Sequence, residues 1–370
     1  MTKSIVIVVS AMNLGGAQRV VALLCNYLVA RGHRVTLITT FTDSKVQNYK
    51  LDEGVIVRNV TDSPLFKKVS TVNLGWKLLH LRDLIRRSEP SVVVSFLARV
   101  NVATAMASIG VRCSHIICER TWPPFASLHP RPRWFYRFLF RRAQKIIVQT
   151  ELSRSWLAER FPESEVKVIP NPAIYPVPVT AGAKIHPFHL VSHDRKVILA
   201  SGRLHAHKQF HLVIMAFSYI ASKFSDWDLV ILGEGEEREA LSNLVQSYGL
   251  EDRVFFPGNV GNVSEWYERA ELFVLSSVVE GFPNVLLEAM VYGVACISFD
   301  CNTGPRDMIE HGVNGFLVDP DERESGIFAA MYLLISNDGL RREISENCTV
   351  VRERYAMSRV MQEWNEVLDV

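Results

Sequence analysis

The sequence predicts two α/β domains, each a doubly wound parallel sheet covered by helices on both faces. Three observations carry this reading. Short β-branched apolar runs alternate with longer amphipathic segments along the chain, as parallel strands buried between crossover helices require. A proline-rich stretch with no apolar period breaks the alternation near the middle. Finally, 370 residues exceed what one ordinary core organises.

The strands expected in the first half are "SIVIVVS" (4–10), "RVTLITT" (34–40), "VIVRNV" (55–60), "SVVVSF" (91–96), "HIICE" (115–119) and "KIIVQT" (145–150). Helical periods lie between them, as in "AQRVVALLCNYLVARG" (17–32) and "LGWKLLHLRDLIRRS" (74–88). The break is "VIPNPAIYPVPVTAGAKIHP" (168–187), with five prolines, and it reads as a linker between domains. Alternation resumes with "KVILASGRL" (196–204), "DLVILGEG" (228–235), "RVFFPGN" (253–259), "LFVLSS" (272–277) and "ACISFD" (295–300). The amphipathic end, "SRVMQEWNEVLDV", is expected to cross back to the first domain. The expected division is residues 1–170, a linker at 171–195, a second domain at 196–355 and a terminal helix at 356–370. Open parallel sheets bind ligands outside the carboxyl ends of their strands, so the search for a site belongs in a cleft between the two.

Composition excludes several classes. About half the residues are apolar, the balance of a folded globular protein. The apolar run at 4–12 is far shorter than the ~20 residues of a spanning helix. It also lacks the basic flank and cleavage site of a signal peptide. The six cysteines form no C-x-x-C pair and have no histidine partner at zinc spacing, so a reduced cytoplasmic protein is expected. The net charge of +2 hides a split: residues 1–175 hold 25 Lys/Arg against 11 Asp/Glu, and the remainder 16 against 28. The first half therefore suits an anionic partner. A membrane surface is expected and nucleic acid is not, because no nucleic-acid-binding signature appears.

Five stretches offer chemistry. "VVSAMNLGGAQRVV" (8–21) places Gly15 and Gly16 between a strand and a helix, where backbone N–H groups meet a diphosphate or simply make a turn. "SGRLHAHKQF" (201–210) puts Gly202, Arg203 and Lys208 after a strand end. The two cations suit a departing diphosphate, or are solvated surface charges; His205 and His207 read as loop residues. "LGEGEE" (232–237) repeats the strand–glycine design with Gly233 and Gly235, for a nucleotide or a tight turn. "VVEGFPNVLLEAMVYG" (278–293) holds Glu280 before a helix led by Pro283 and Glu288 about one turn inside it. The N–H groups of Phe282, Asn284 and Val285 make a positive helix end. The two carboxylates suit sugar or ribose hydroxyls, or else are a helix-start charge and a buried acid that needs a partner. Last, "HPRPRWFYRFLFRRAQK" (129–145) mixes Arg133, Arg137 and Arg141 with Trp134 and other aromatics. Such a helix lies in an anionic membrane surface or packs its rings on the sheet.

In combination and order, "NLGGAQR", "CERTWPP", "VIPNP", "GRL…K", "LGEG", "EGFPNVLLEAM" and "TGPRDMIEHGVNGFLV" resemble the retaining glycosyltransferases of family GT4, over nearly the whole chain. The resemblance implies the GT-B fold, with an acceptor-binding first domain and a second domain binding the sugar nucleotide. By the same resemblance, Arg203 and Lys208 hold the diphosphate and Glu288 takes the ribose hydroxyls. Glu280 and the N–H groups of Phe282 to Val285 meet the donor sugar, and Gly16 closes on the diphosphate. No cofactor or metal is implied. The D-x-D matches "DWD" (226–228) and "DPD" (319–321) read as structural.

"ICERTWPP" (117–124) is similar to the Ser-Glu-Arg-Asn segment of members that extend polyprenyl-diphosphate-linked glycans, with Cys118 and Thr121 in the flanking places. Glu119 would then orient or deprotonate an acceptor hydroxyl and Arg120 bind an acceptor phosphate; an internal Glu119–Arg120 ion pair is the alternative. Gln18 and Asp307 each depart from the family's glutamate, and the donor contact of Asp307 is in question. The expected protein is a metal-independent transferase on the inner face of the cytoplasmic membrane. It moves a sugar, from a UDP-sugar before a GDP-sugar, to a lipid-linked glycan in surface polysaccharide or O-antigen assembly. Its alternatives are a non-catalytic sugar-nucleotide-binding subunit and a UDP-N-acetylhexosamine epimerase. Donor sugar, acceptor linkage and oligomeric state are not specified by the sequence.

Overall fold

The computed structural model describes residues 2–13, 15–40, 48–62, 74–123, 140–180 and 182–370. The chain divides into two units, Met1–Asn171 with Ser358–Val370, and Pro172–Met357.

Among the described residues, the first unit carries a seven-stranded parallel sheet in the order β3-β2-β1-β4-β5-β6-β7. Its strands are β1 (Ser4–Val9), β2 (Arg34–Thr39), β3 (Ile56–Asn59), β4 (Val92–Phe96), β5 (Ser114–Cys118), β6 (Lys145–Val148) and β7 (Glu165–Val168). The central strands are apolar nearly throughout because both faces are covered: Val6, Val8 and Val93 pack with Leu81 and Ile85 of helix Leu74–Arg87 and with Val100 of helix Ala98–Ala107. Helix Met357–Leu368 packs in this unit as well. Trp364 lies 6.1 Å from the ring of Phe96, Lys145 Nζ donates to the carbonyl of Val367 (3.2 Å) and Lys3 Nζ to that of Leu368 (3.0 Å).

The second unit holds a six-stranded parallel sheet in the order β10-β9-β8-β11-β12-β13. The strands are β8 (Lys196–Ser201), β9 (Trp227–Leu232), β10 (Val254–Gly258), β11 (Ala270–Leu275), β12 (Ala295–Phe299) and β13 (Phe316–Val318). Pro257 sits in β10, an edge strand, where a missing N–H costs no ladder bond. Both units are therefore Rossmann-like, as the alternation predicts.

Three local features differ from the expectation. Strands β7 and β13 carry no long apolar run. One is a mixed "EVKV" at a sheet edge and the other only three residues, so neither shows a strand period. The proline-rich segment is no free linker: residues 172–195 fall within the second unit. There Thr180 N–H donates to Gly261 (2.9 Å), Gly261 N–H to Ala183 (2.7 Å), and the Asn262 amide closes on both backbone groups of Ile185 (3.1 Å each). Prolines remove donors, but enough N–H groups remain between them to stitch the segment down.

Candidate functional site

In the second sheet the strand order reverses between β8 and β11, and the loops leaving their carboxyl ends are sewn together there. Val278 N–H donates to the carbonyl of His207 (3.0 Å) and Ser276 Oγ to that of Lys208 (2.6 Å). The hydroxyl of Thr303, from the loop after β12, donates to the carbonyl of Glu280. Open α/β sheets receive ligands at such a reversal.

This stitching brings Lys208 and Glu280 into contact, with Nζ 2.5 Å from Oε1 and side chains only 22% and 13% exposed. The sequence reading gave them separate duties, one for phosphate and one for sugar. The structure makes them one charge-assisted pair, which fixes the ammonium and leaves the second carboxylate oxygen to accept hydroxyls. Arg203 is exposed, and its Nη2 meets Glu236 Oε2 (3.3 Å). The other oxygen of Glu236 takes His205 Nε2 (3.1 Å), while His205 Nδ1 accepts the N–H of His207 (3.3 Å). That second bond places the ring proton on Nε2. Glu236 thus orients the guanidinium, a contact between loops 33 residues apart that the sequence analysis did not anticipate.

Gly233 and Gly235 are required by backbone contact. A Cβ at Gly233 would lie 1.9 Å from the carbonyl oxygen of Gly202, and one at Gly235 2.2 Å from that of Leu204. Gly233 also holds φ +132°. The glycines let the loop after β9 press on the loop after β8, with Leu204 N–H donating to Glu234 (3.0 Å) and Glu237 N–H to Leu204 (3.1 Å). They shape the base on which Gly202 and Arg203 stand.

Helix Asn284–Val291 follows β11. Pro283 stands one residue before it, a shift from the first turn, and its carbonyl accepts the N–H groups of Leu286 and Leu287 (3.1 Å each). Val285 opens the helix beside Asn284, and Phe282 is buried against the edge of the Tyr355 ring (5.3 Å). Glu288 is buried, and the partner its burial demands includes Tyr267, whose hydroxyl donates to Oε2 at 2.9 Å. Tyr267 lies 21 residues away on helix Val263–Arg269, so no local signal exposed it. The carboxylate of Asp307 turns back to the N–H of Gly304 (3.2 Å) and caps the short helix Pro305–Met308. One methylene shorter than glutamate, it serves the loop.

Both D-x-D motifs are structural in their contacts. Asp228 is buried between Arg195 and Arg253 (2.9 Å to the latter), and Asp319 accepts the N–H of Asp321 (2.9 Å). Among the described residues there is no group of three or more His, Cys, Asp or Glu arranged to hold a metal ion.

In the first unit, Gly15 precedes helix Gly16–Ala30 with an extended φ of 168°. The Tyr49 hydroxyl bridges its N–H and carbonyl, each at 3.0 Å. Glu119 and Arg120 leave the end of β5, both buried, and do not pair with each other. Instead Asn101 Nδ2 reaches Glu119 Oε1 (2.9 Å) and Arg120 Nη1 reaches Asn171 Oδ1 (3.1 Å). The guanidinium sits 5.0 Å from the Phe96 ring centre and 5.8 Å from that of Trp364. Burial pushes the Glu119 carboxyl up to about 7, against the smaller opposing pull of Asn101. It also lowers the Arg120 guanidinium. Among the described residues, buried Arg120 Nε and Nη2 meet no hydrogen-bond partner by geometry, while the Cys118 side chain opposes the lowering. The expected alternative, an internal ion pair, is thus replaced by two neighbouring polar contacts: consecutive residues leaving a strand point apart. Arg141 pairs with Glu163 (3.0 Å), while Arg133, Trp134 and Arg137 lie outside the described residues.

Residues 14–173 match the family model described as Glycosyltransferase Family 4, and residues 183–350 match that of Glycosyl transferases group 1. The chain belongs with these glycosyltransferases of GT-B fold. It is 27% identical to an uncharacterized glycosyltransferase of Haemophilus influenzae over 355 residues, 96% of each chain. It is also 28% identical over 368 residues to the GalNAc-alpha-(1->4)-GalNAc-alpha-(1->3)-diNAcBac-PP-undecaprenol alpha-1,4-N-acetyl-D-galactosaminyltransferase of Campylobacter jejuni, covering 98% of this glycosyltransferase and 97% of the relative. Two solved structures share its fold. Sucrose-phosphate synthase from Thermosynechococcus elongatus has a TM-score of 0.80 at 15% identity, over 99% and 98% of the two chains. Anabaena HepE in complex with UDP and glucose has 0.76 at 17%, over 99% of each.

Proposed function

We propose that this glycosyltransferase moves a sugar, with retention, from a UDP-sugar to a polyprenyl-diphosphate-linked glycan during surface polysaccharide assembly, on the inner face of the cytoplasmic membrane. The observation that carries the donor half is the Lys208–Glu280 pair at the sheet reversal, with Arg203 on the same loop as Lys208 and the helix that buries Glu288 following Glu280. As the anomeric C–O bond breaks, negative charge grows on the nucleoside diphosphate and positive charge on the sugar. Lys208 and Arg203 stabilise the first in place, and Glu280 holds a sugar hydroxyl while its charge faces the second. Glu288, oriented by Tyr267, accepts ribose hydroxyls. With two cations serving the leaving group, transfer proceeds without a metal.

The undecaprenol-linked substrate in the name of the Campylobacter relative supports the lipid-linked acceptor, and the HepE complex with UDP supports the nucleotide. Glu119 is the acceptor base and Arg120 the acceptor phosphate ligand in this reading: a carboxyl brought up to about 7 exchanges protons near neutrality. The test is mass spectrometry of products from a panel of UDP- and GDP-sugars with membrane-extracted polyprenyl-diphosphate glycans, with and without EDTA. One UDP-sugar adding a single residue with or without EDTA is the expected result. Transfer only from a GDP-sugar, or only with metal, overturns the corresponding half. Donor binding without transfer or hydrolysis across the panel marks a binding subunit instead.

A further inference from the structure

Helix Leu74–Arg87 in the first unit shows a second kind of surface. Its inner face buries Leu81 and Ile85 against Val6, Val8, Val93 and Val100. At about 100° per residue, Trp76, Leu79, Asp83, Arg86 and Arg87 fall within an arc of about 100° on the other side. Trp76 is 59% exposed and Leu79 58%, unusual for two large apolar side chains one turn apart. Arg86 and Arg87 are exposed about two turns beyond Leu79, and Asp83, the helix's single acid, pairs with Arg87 at 2.8 Å. Arg82 Nη1 donates to the carbonyls of Ala107 (3.0 Å) and Ile109, tying this helix to the end of helix Ala98–Ala107. That neighbour and the loop after it add exposed Met106 and Ile109, with Arg99 and Arg112 exposed nearby in sequence.

We infer that this helix pair is a docking face for an anionic lipid surface. Tryptophan and leucine enter the headgroup region while the arginines meet lipid phosphates. With Asp83 and Arg87 paired, exposed Arg86, Arg99 and Arg112 outweigh exposed Glu89 beyond the helix end, and this positive balance argues against a neutral apolar partner. The inference deepens the lipid-linked acceptor reading by naming the element that brings the enzyme to its acceptor, yet its readout needs no transfer. The test is sedimentation of the full chain with vesicles of phosphatidylcholine alone or with phosphatidylglycerol added. Analytical ultracentrifugation without vesicles and donor hydrolysis in solution accompany it. Wild type should sediment with the anionic vesicles. Trp76→Ser with Leu79→Ser should lower the partition coefficient about tenfold. Arg86→Gln with Arg87→Gln should remove part of its salt dependence, and hydrolysis should stay unchanged in both variants. Wild type that ignores anionic vesicles, or Ser variants that bind as well as wild type, overturn the inference. A fall in oligomer mass in the Ser variants also overturns it and assigns the face to a second copy. Vesicle binding as expected with no sugar transfer would refute the catalytic reading and leave this one standing.

Discussion

If Lys208 and Glu280 act as one device, a double-mutant cycle must reveal it. The variants are Lys208→Met, Glu280→Gln and the two together. At the observed 2.5 Å, an effective dielectric of about 20 gives a raw attraction of about 6–7 kcal/mol. Drawing two largely buried ions out of water returns most of that. A net coupling of about 1–3 kcal/mol remains, the range found for residues in one polar network. Each single variant leaves the other partner half-buried and alone, so each is expected to lose about 2–4 kcal/mol of stability. The double variant should cost clearly less than their sum. Urea unfolding of the four proteins reads the coupling, and kcat/KM for donor hydrolysis reads the chemistry. Because the proposed function also gives Lys208 the leaving diphosphate, the two Lys208 variants should fall about 10²–10³-fold in kcat. Stability losses that add within about 0.5 kcal/mol would refute the coupling.

Three further predictions concern the supports of the site. Gly233→Ala forces a methyl onto the Gly202 carbonyl and should destabilise the second unit by about 3 kcal/mol, seen as a lower Tm. Tyr267→Phe removes a donor from buried Glu288. It should cost about 1–3 kcal/mol and raise donor KM more than it lowers kcat. Glu119 has its carboxyl raised from the ordinary value to about 7 by burial, so the folded chain holds that proton more tightly than the unfolded one. Its contribution is most favourable below about pH 4.5 and is lost as pH rises to about 7. Glu119→Gln should therefore gain stability relative to wild type from pH 5 to pH 8, by about 1–3 kcal/mol in urea unfolding. It should also flatten any rise of transfer rate through neutrality.

Much of the candidate site in the second unit was legible because its parts are local. A strand end followed by Gly202 and Arg203, and a proline before an apolar helix, are short patterns whose backbone consequences follow from steric rules. Contacts formed across loops were not legible. Glu236 lies 33 residues from Arg203 and Glu280 lies 72 from Lys208, so their pairing depends on which strands become neighbours. The face proposed for the membrane shows the same limit in another form: the exposure of Trp76 and Leu79 depends on how their helix packs, which its period does not give.

The sequence by itself determined the class of the fold, two parallel α/β units, since continuous apolar strands between amphipathic helices have few other stable arrangements. It also determined where along the chain the candidate chemistry lies, at the loops that follow strand ends. Only the tertiary structure decided which charges meet. It joined Lys208 to Glu280, set Tyr267 on Glu288, turned Asp307 inward, and parted Glu119 from Arg120. The physical reason is range: strand and helix propensities act over a few residues, whereas an ion pair forms wherever sheet order brings two loops within a few ångströms.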